Sequence, residues 1–498
     1  MASISDASNG QPDLILIASG SEVSLILAAE ALLKSEGIGL RCVSMPSWDL
    51  FDAQPLSYRE QVLPPTVWAR MAVDRSGTFD PGYAAMCARP CRFRNASRIL
   101  DDTGGRGPIR FGSGPSAASA ETTHRLACKE IAMPAMMKAA VFVAPGRIEL
   151  ADKPIPDVGH NDALVRITTT TICGTDVHIL KGEYPVAEGL TVGHEPVGVI
   201  VKLGSAVQGY SEGQRVIAGA ICPSFTSYAC QDGAPSQDGS YLIASGQCGR
   251  HGYKATAGWR FGNLIDGTQA EYVLVPDAQA NLAPIPDGLS DEQVLMCPDI
   301  MSTGFKGAEN ANIKIGDTVV VFAQGPIGLC ATAGARLLGA STIIAVDGND
   351  HRLGISKVMG ADITLNFKHC DVVDEIMNIT GGRGVDASIE ALGTQGTFES
   401  ALRVLKPGGT LSSLGVYSSD LTIPLTAFAA GLGDHRINTA LCPGGKERMR
   451  RLLNVVASGR VDLGVLVTHK FTLDDIERAY DLFANQRDGV LKVAIKPS

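Results

Sequence analysis

The apolar and polar positions divide the chain into stretches of different period. An apolar run, Leu14–Ala18, is followed by a Gly-Ser turn, an amphipathic helix over Glu22–Ser35 and a second strand ending near Met45, which predicts the opening of an α/β unit within residues 12–79. Between Arg75 and Ala127 no strand or helix period survives, and eight arginines, no lysine, Cys87 and Cys91 are scattered among Pro and Gly. Short alternating stretches over 138–290 predict β-strands. From about 303 to 441 strands and helices alternate, the pattern of a doubly wound parallel sheet. The last stretch, 442–498, predicts a helix over Glu447–Ser458 and a terminal strand over Gly489–Lys496.

At 498 residues the chain exceeds one domain of about 150 residues. With 45% hydrophobic and 19% charged residues it can bury large cores. A net charge of −9 offers no basic surface and argues against a nucleic-acid partner. No apolar run approaches the ~20 residues of a membrane helix. The N-terminal MASISDASNG has neither the basic region nor the apolar core of a secretory signal. Twelve cysteines at irregular spacings do not form a disulfide framework and suit a reducing cytoplasm, where thiolates stay available to a metal.

The sharpest candidate chemistry lies in Gly193-His194-Glu195-Pro196-Val197-Gly198, followed by Gly204 and Val207, with the run Cys173 to His178 upstream. Catalytic zinc needs imidazole or thiolate donors, an open position and oriented ligands. Cys173 and His194 supply two donors, and Glu195 is placed to tune or transiently touch the metal. A lone histidine would read as a core residue; the paired cysteine and the glycine pattern favour the ligand.

A second site follows the apolar strand Thr318–Phe322. Ala323-Gln-Gly325-Pro326-Ile327-Gly328 is a dinucleotide fingerprint whose first glycine is replaced by Ala323. Gly325 lets the backbone approach a pyrophosphate, Gly328 lets the helix pack against the sheet, and the helix N-terminus offers free N–H groups. Asp347, 22 positions after Gly325, ends the next strand. Its carboxylate would accept ribose hydroxyls and repel a 2′-phosphate, favouring NAD over NADP. A solvated loop aspartate is the alternative, and Arg352 nearby could accept a phosphate.

The stretches CGTDVH (173–178), GHEPVG (193–198), AGWRFGN (257–263), PDIMSTGF (298–305), LCPGG (441–445) and LVTHKF (466–471) occur in one order along residues 137–498. In them the chain resembles the zinc-dependent medium-chain alcohol dehydrogenases, above all the bacterial secondary-alcohol (isopropanol-type) branch. The resemblance implies an α/β protein: a partly closed, GroES-like β catalytic domain over 137–302, a Rossmann domain over 303–441 and a return to the catalytic domain over 442–498. It implies Asp299 as third zinc ligand, where Cys297 is the next choice and capping of the following helix the structural alternative. Thr175, able to donate and accept at once, and His178 would relay the alcohol proton toward solvent; a half-buried loop histidine is the alternative for His178. Phe225, Leu441 and Cys442 would line a small apolar cavity for short secondary alcohols and ketones. Many relatives bind a structural zinc through four close cysteines; here that lobe has Cys222, Cys230 and Cys248, with Arg250 where a further cysteine is expected, so one zinc per chain is expected. A homotetramer or homodimer is implied as well. A polyol or threonine dehydrogenase of the same fold, or a non-catalytic scaffold, are the competing readings.

Residues 12–79 resemble a truncated transketolase C-terminal domain, making 1–79 a fragment without the thiamine-diphosphate-binding domains. Residues 80–136 read as an irregular, disordered linker, either a basic interaction segment or an out-of-frame continuation of a transketolase gene end. Met136-Met137-Lys138 would then be the dehydrogenase's own start, and the earlier segment dispensable.

Overall fold

A computed structural model describes residues 4–5, 12, 14–18, 40–44, 54, 58–59, 62–63, 70–73, 135–239 and 258–497. The helix expected over Glu22–Ser35, the linker residues 80–134, and Cys87, Cys91, Cys248 and Arg250 lie outside the described residues. The chain divides into two units, Met1–Ile131 with Tyr241–Gly252, and Ala132–Ser240 with Tyr253–Ser498.

In the first unit, β1 (Ile4–Ser5), β2 (Leu14–Ala18), β3 (Leu40–Ser44) and β4 (Arg70–Val73) form a sheet of order β1-β3-β2-β4. Strand β2 is central and pairs in parallel with β3 and β4, while β1 closes the edge antiparallel to β3. Its successive residues Ile15, Leu16 and Ile17 are all buried, as a parallel strand covered on both faces requires. Both strands expected from the apolar runs are present, the second ending at Ser44.

The second unit opens with a hairpin of β5 (Met136–Ala144) and β6 (Arg147–Pro154). A mostly antiparallel sheet follows, built from β7 (Ala163–Thr171), β8 (Val197–Leu203), β9 (Arg215–Ala218), β10 (Tyr272–Val275) and β11 (Leu282–Pro284). A short helix, α1 (Gly174–Leu180), leaves the end of β7. Two glycines of the sequence motif permit tight packing here. A Cβ on Gly198 would stand 2.3 Å from the Arg166 carbonyl oxygen, and one on Gly204 2.3 Å from that of Gly159.

The sheet then gives way to helix. Cys297–Met301 forms a π-helical turn running without a break into α2 (Ser302–Asn310). Six parallel strands follow: β12 (Thr318–Phe322), β13 (Thr342–Asp347), β14 (Ile363–Asn366), β15 (Val385–Glu390), β16 (Leu405–Ser413) and β17 (Arg436–Thr439). Their connecting helices include α3 (Pro326–Leu338), α4 (Asp350–Met359), α5 (Val372–Ile379) and α6 (Gln395–Arg403). The order β14-β13-β12-β15-β16-β17 is doubly wound, reversing between β12 and β15. Ligands of such sheets bind outside the strand C-termini at that reversal. Val319, Val320 and Val321 are completely buried, which accounts for the unbroken apolar run in the sequence.

The chain finishes with α7 (Lys446–Ala457), β18 (Val467–Thr472), α8 (Ile476–Ala484) and β19 (Lys492–Lys496). Strand β19 lies between β7 and β18, pairing antiparallel with the former and parallel with the latter. The terminal strand is shorter than its apolar run because Val490 is held in a turn by a bond to the Arg487 carbonyl. Among the described residues no helix is long and apolar enough to cross a membrane.

Candidate active site

Cys173 stands where β7 ends and α1 begins. Its backbone N–H donates to Asp176 Oδ2 at 2.8 Å, so the CGTD run caps its own helix and turns a buried carboxylate inward. His194 follows Gly193, whose φ of +89° is open to glycine, and a Cβ there would meet Gln269 Cγ at 2.6 Å. Asp299 lies within the π-helical turn, where Thr303 Oγ1 donates to its Oδ1 at 2.9 Å. The helical ladder passes through Asp299, so it does not cap the helix, contrary to the structural alternative.

These elements bring one donor atom each of Cys173, His194, Glu195 and Asp299 within 4.8 Å of one another. Asp299 Oδ2 is 3.5 Å from Cys173 Sγ and 3.4 Å from His194 Nε2. Donors about 2.0–2.3 Å from a tetrahedral zinc stand roughly 3.3–3.5 Å apart, so this set fits the ion. His194 Nδ1 lies 3.6 Å from Asp176 Oδ1, and both atoms are buried without a hydrogen-bond partner. A small rotation would pair them, fixing the tautomer that leaves Nε2 free for a metal. Cys297, the next choice as ligand, is fully buried with its Sγ turned to Met301 Sδ at 3.9 Å, and burial pushes its thiol far up.

Burial and neighbouring charge set the electrostatics. Burial pushes the Cys173 thiol up, with Lys492 pulling the other way. Burial would lower His194, but Asp176, Asp299 and Cys173 together outweigh it and raise the imidazole well above its usual range. Asp299 is buried, yet its bond to His194 and the nearby positive charges hold it below the usual carboxylate range. Burial raises Glu195 to about 7 against the pull of Lys492. Lys492 Nζ donates to Glu195 Oε2 at 2.7 Å and to the Ile172 carbonyl at 3.1 Å.

Of the other expected residues, Thr175 lies beside the donors, its Oγ1 3.9 Å from Cys173 Sγ. His178 is bonded through Nδ1 to Glu183. Cys442 Sγ is 3.8 Å from the Asp299 carbonyl oxygen, and half-buried Leu441 packs against the cluster holding Cys442, Ile221 and Trp259. Phe225 is largely exposed at φ +59°, its ring occupying the space a Cβ on Gly445 would need. In the proposed structural lobe, Cys222 is buried, donates to the Gly219 carbonyl and is pushed up to about 12 by burial. Cys230 is half-buried.

The nucleotide loop is built from backbone. Ala323 takes φ +68° in place of the usual glycine. A Cβ on Gly328 would fall 1.8 Å from the Ala323 carbonyl oxygen. Gly325 precedes Pro326, the first residue of α3, and half-buried Ile327 packs beneath it. Asp347 accepts from the backbone N–H of Gln324 at 2.7 Å and of Asn349 at 2.9 Å, so it clamps the loop. Arg352 donates to Gln486.

Besides Asp176 and Thr303, sequence reasoning missed four more residues that support the donors. Gln269 donates to Asp176 Oδ2 at 3.2 Å and accepts from Tyr480 Oη at 2.9 Å, and the Trp259 ring meets that of His194 edge-on at 6.0 Å. Lys492 carried a signal: a lone lysine inside the apolar run Val490–Ile495. Gln269 and Tyr480 carried none, since their roles depend on which strands become neighbours.

Residues 326–458 match the zinc-binding dehydrogenase family and 159–287 the alcohol dehydrogenase GroES-like domain, while 2–83 match the transketolase-like C-terminal domain. An alcohol dehydrogenase of Cupriavidus necator is 86% identical over 365 residues, 73% of this chain and 100% of that one. The NADP-dependent isopropanol dehydrogenase of Thermoanaerobacter brockii is 36% identical over 363 residues, 72% of this chain and 99% of that one. Among solved structures, an alcohol dehydrogenase from Thermus sp. ATN1 is 31% identical with a TM-score of 0.64, covering 73% of this chain and 100% of that one. With a metal-compatible donor set, a doubly wound nucleotide sheet and relatives matched along their full length, the chain belongs to the zinc-dependent alcohol dehydrogenases.

Proposed function

We propose that residues 137–498 oxidise short secondary alcohols to ketones with NAD, and run the reverse reaction. The observation that carries this reading is the cluster of Cys173, His194 and Asp299 donors beside an apolar wall. When bound, zinc supplies a Lewis acid that polarises the alcohol oxygen, and the nicotinamide supplies the hydride acceptor. Cys173, His194 and Asp299 would hold the metal, Asp176 would orient His194, and Glu195 is available beside them. Ile221, Trp259, Leu441 and Cys442 favour a small apolar substrate over a charged sugar. Thr175 and His178 lie one helical turn apart on α1, the spacing that puts two side chains on one face and suits a proton relay.

For the cofactor, Asp347 at the end of β13 would accept ribose hydroxyls and repel a 2′-phosphate. Relatives named NADP-dependent make this the part of the reading most open to challenge. The test is kcat/KM on 2-propanol and 2-butanol with each cofactor: NAD should be preferred, and a higher value with NADP overturns the carboxylate argument. The domain division at 302 and 441, a single zinc, a homotetramer or homodimer and a cytoplasmic location belong to the same proposal. A chain beginning at Met137 should keep kcat and zinc content; loss of either would make the preceding residues part of the enzyme.

A further inference from the structure

The loop after α1 folds back onto the helix end. Gly182, at φ +75°, turns the chain, and the backbone N–H groups of Glu183 and Tyr184 reach the His178 carbonyl at 2.9 and 3.4 Å. This return places the Glu183 carboxylate on His178 Nδ1 and the Tyr184 ring beside the imidazole, centroids 5.2 Å apart. The Glu183 and His178 side chains are 42% and 38% exposed, whereas Cys173, five residues earlier, is buried. Cys173, half-buried Thr175, His178 and Glu183 thus form a series running from the donor cluster to solvent.

A carboxylate on one ring nitrogen decides what the other can do. With Nδ1–H donating to Glu183, Nε2 keeps its lone pair and is free to accept a proton. We propose that Glu183 is a positioning residue for proton exit, fixing His178 in the Nε2-accepting tautomer and stabilising the imidazolium that forms. This rests on the Thr175–His178 relay proposed above. The Thr175 hydroxyl takes the proton and passes on its own; an N–H bond forms at His178 Nε2 and later breaks to give the proton to water. Glu183 stays ionised throughout, and no electrons change hands.

Glu183 is held below the usual carboxylate range, first by its bond to His178. Lys181 is the other charge acting on it. Charges on the elements packed against α1 are engaged elsewhere: Lys138 on β5 pairs with Asp152, and on α8 Arg478 pairs with Asp475 and Asp481 with Arg487. Glu477 of α8 is exposed.

The experiment measures kcat and KM for 2-butanol oxidation in the full-length, zinc-loaded protein and in His178→Ala, Glu183→Gln, Glu183→Asp and, as a control on the same loop, Glu188→Gln. His178→Ala should lose about a hundredfold, the scale of general-base catalysis. Glu183→Gln should lower kcat by about three- to tenfold with KM for 2-butanol unchanged, as the acceptor weakens. Glu183→Asp should restore most of that loss, and Glu188→Gln should match wild type. If His178→Ala is impaired but Glu183→Gln keeps the wild-type kcat, the Glu183 proposal is overturned and the relay stands. If His178→Ala is unimpaired, the relay fails and Glu183 with it.

Discussion

In the second unit, the loop Ala323–Gly328 gets its shape from the backbone of six consecutive residues, whereas the pocket of Cys173, His194, Glu195 and Asp299 draws side chains from three separate stretches and a lysine 297 positions from its carboxylate partner. The loop needs torsions and small side chains, and Asp347, the carboxylate that holds it from the end of β13, receives two backbone N–H groups. The pocket needs charges removed from water and balanced against one another. Strain is therefore local in the loop, while the pocket depends on the fold being complete.

The largest effect that could break this contrast is expected at Lys492. Both members of its pair with Glu195 are 1% exposed at the side chain, so Lys492→Met would strand a buried carboxylate. It should cost about 3–5 kcal/mol in urea unfolding, with much of the loss recovered when Glu195→Gln is added. A cost below about 1 kcal/mol would show that the pocket does not depend on balanced charge.

At the loop, Asp347→Gly should weaken NAD by about 1–3 kcal/mol and admit NADP, read by calorimetric titration with each cofactor. Asp347→Asn sharpens the comparison, because its amide oxygen can still accept the Gln324 N–H while the charge is gone. If clamping dominates, the Asn variant keeps NAD affinity; if charge dominates, it follows Gly. Ala323→Gly should act through strain alone. A left-handed non-glycine residue costs about 1–2 kcal/mol and added glycine flexibility about 0.5–1 kcal/mol. The net gain, up to about 1.5 kcal/mol, should appear as a higher melting temperature.

How far each region was legible follows from the same contrast. The nucleotide loop, its strand and Asp347 are contiguous enough for period and spacing to place them, and strand–helix alternation implied a doubly wound parallel sheet but not the order of its strands. Cys173 and His194 were legible from glycine and cysteine spacing. Asp299 was legible as a candidate only by resemblance, since a carboxylate before a helix also reads as a cap; the π-helical turn that carries it has no sequence period. His178 was read without its partner, because the pairing with Glu183 depends on the turn at Gly182. In the first unit β2 and β3 were plain in their apolar runs, β1 and β4 were not read, and the expected helix lies outside the described residues.

The smallest effect lies on the surface, where charge is cheap to keep in water. Glu292 is depressed from 4.5 to about 2, chiefly by its bond to Lys470 and also by Lys496. A depressed carboxylate stabilises the fold above its unfolded value and loses that contribution as pH falls through the folded one. Glu292→Gln should therefore lower stability at neutral pH by at most about 1 kcal/mol, the difference from wild type closing between pH 4.5 and about 2. Denaturant unfolding of both proteins across that range checks it.

Metal content tests the central claim most directly. Zinc per chain, measured by elemental analysis on wild type, Cys173→Ser, His194→Ala and Asp299→Ala, should be one in the wild type and fall away in each variant. Circular dichroism should show the parallel-sheet domain still folded. Undiminished zinc in all three variants would contradict the account.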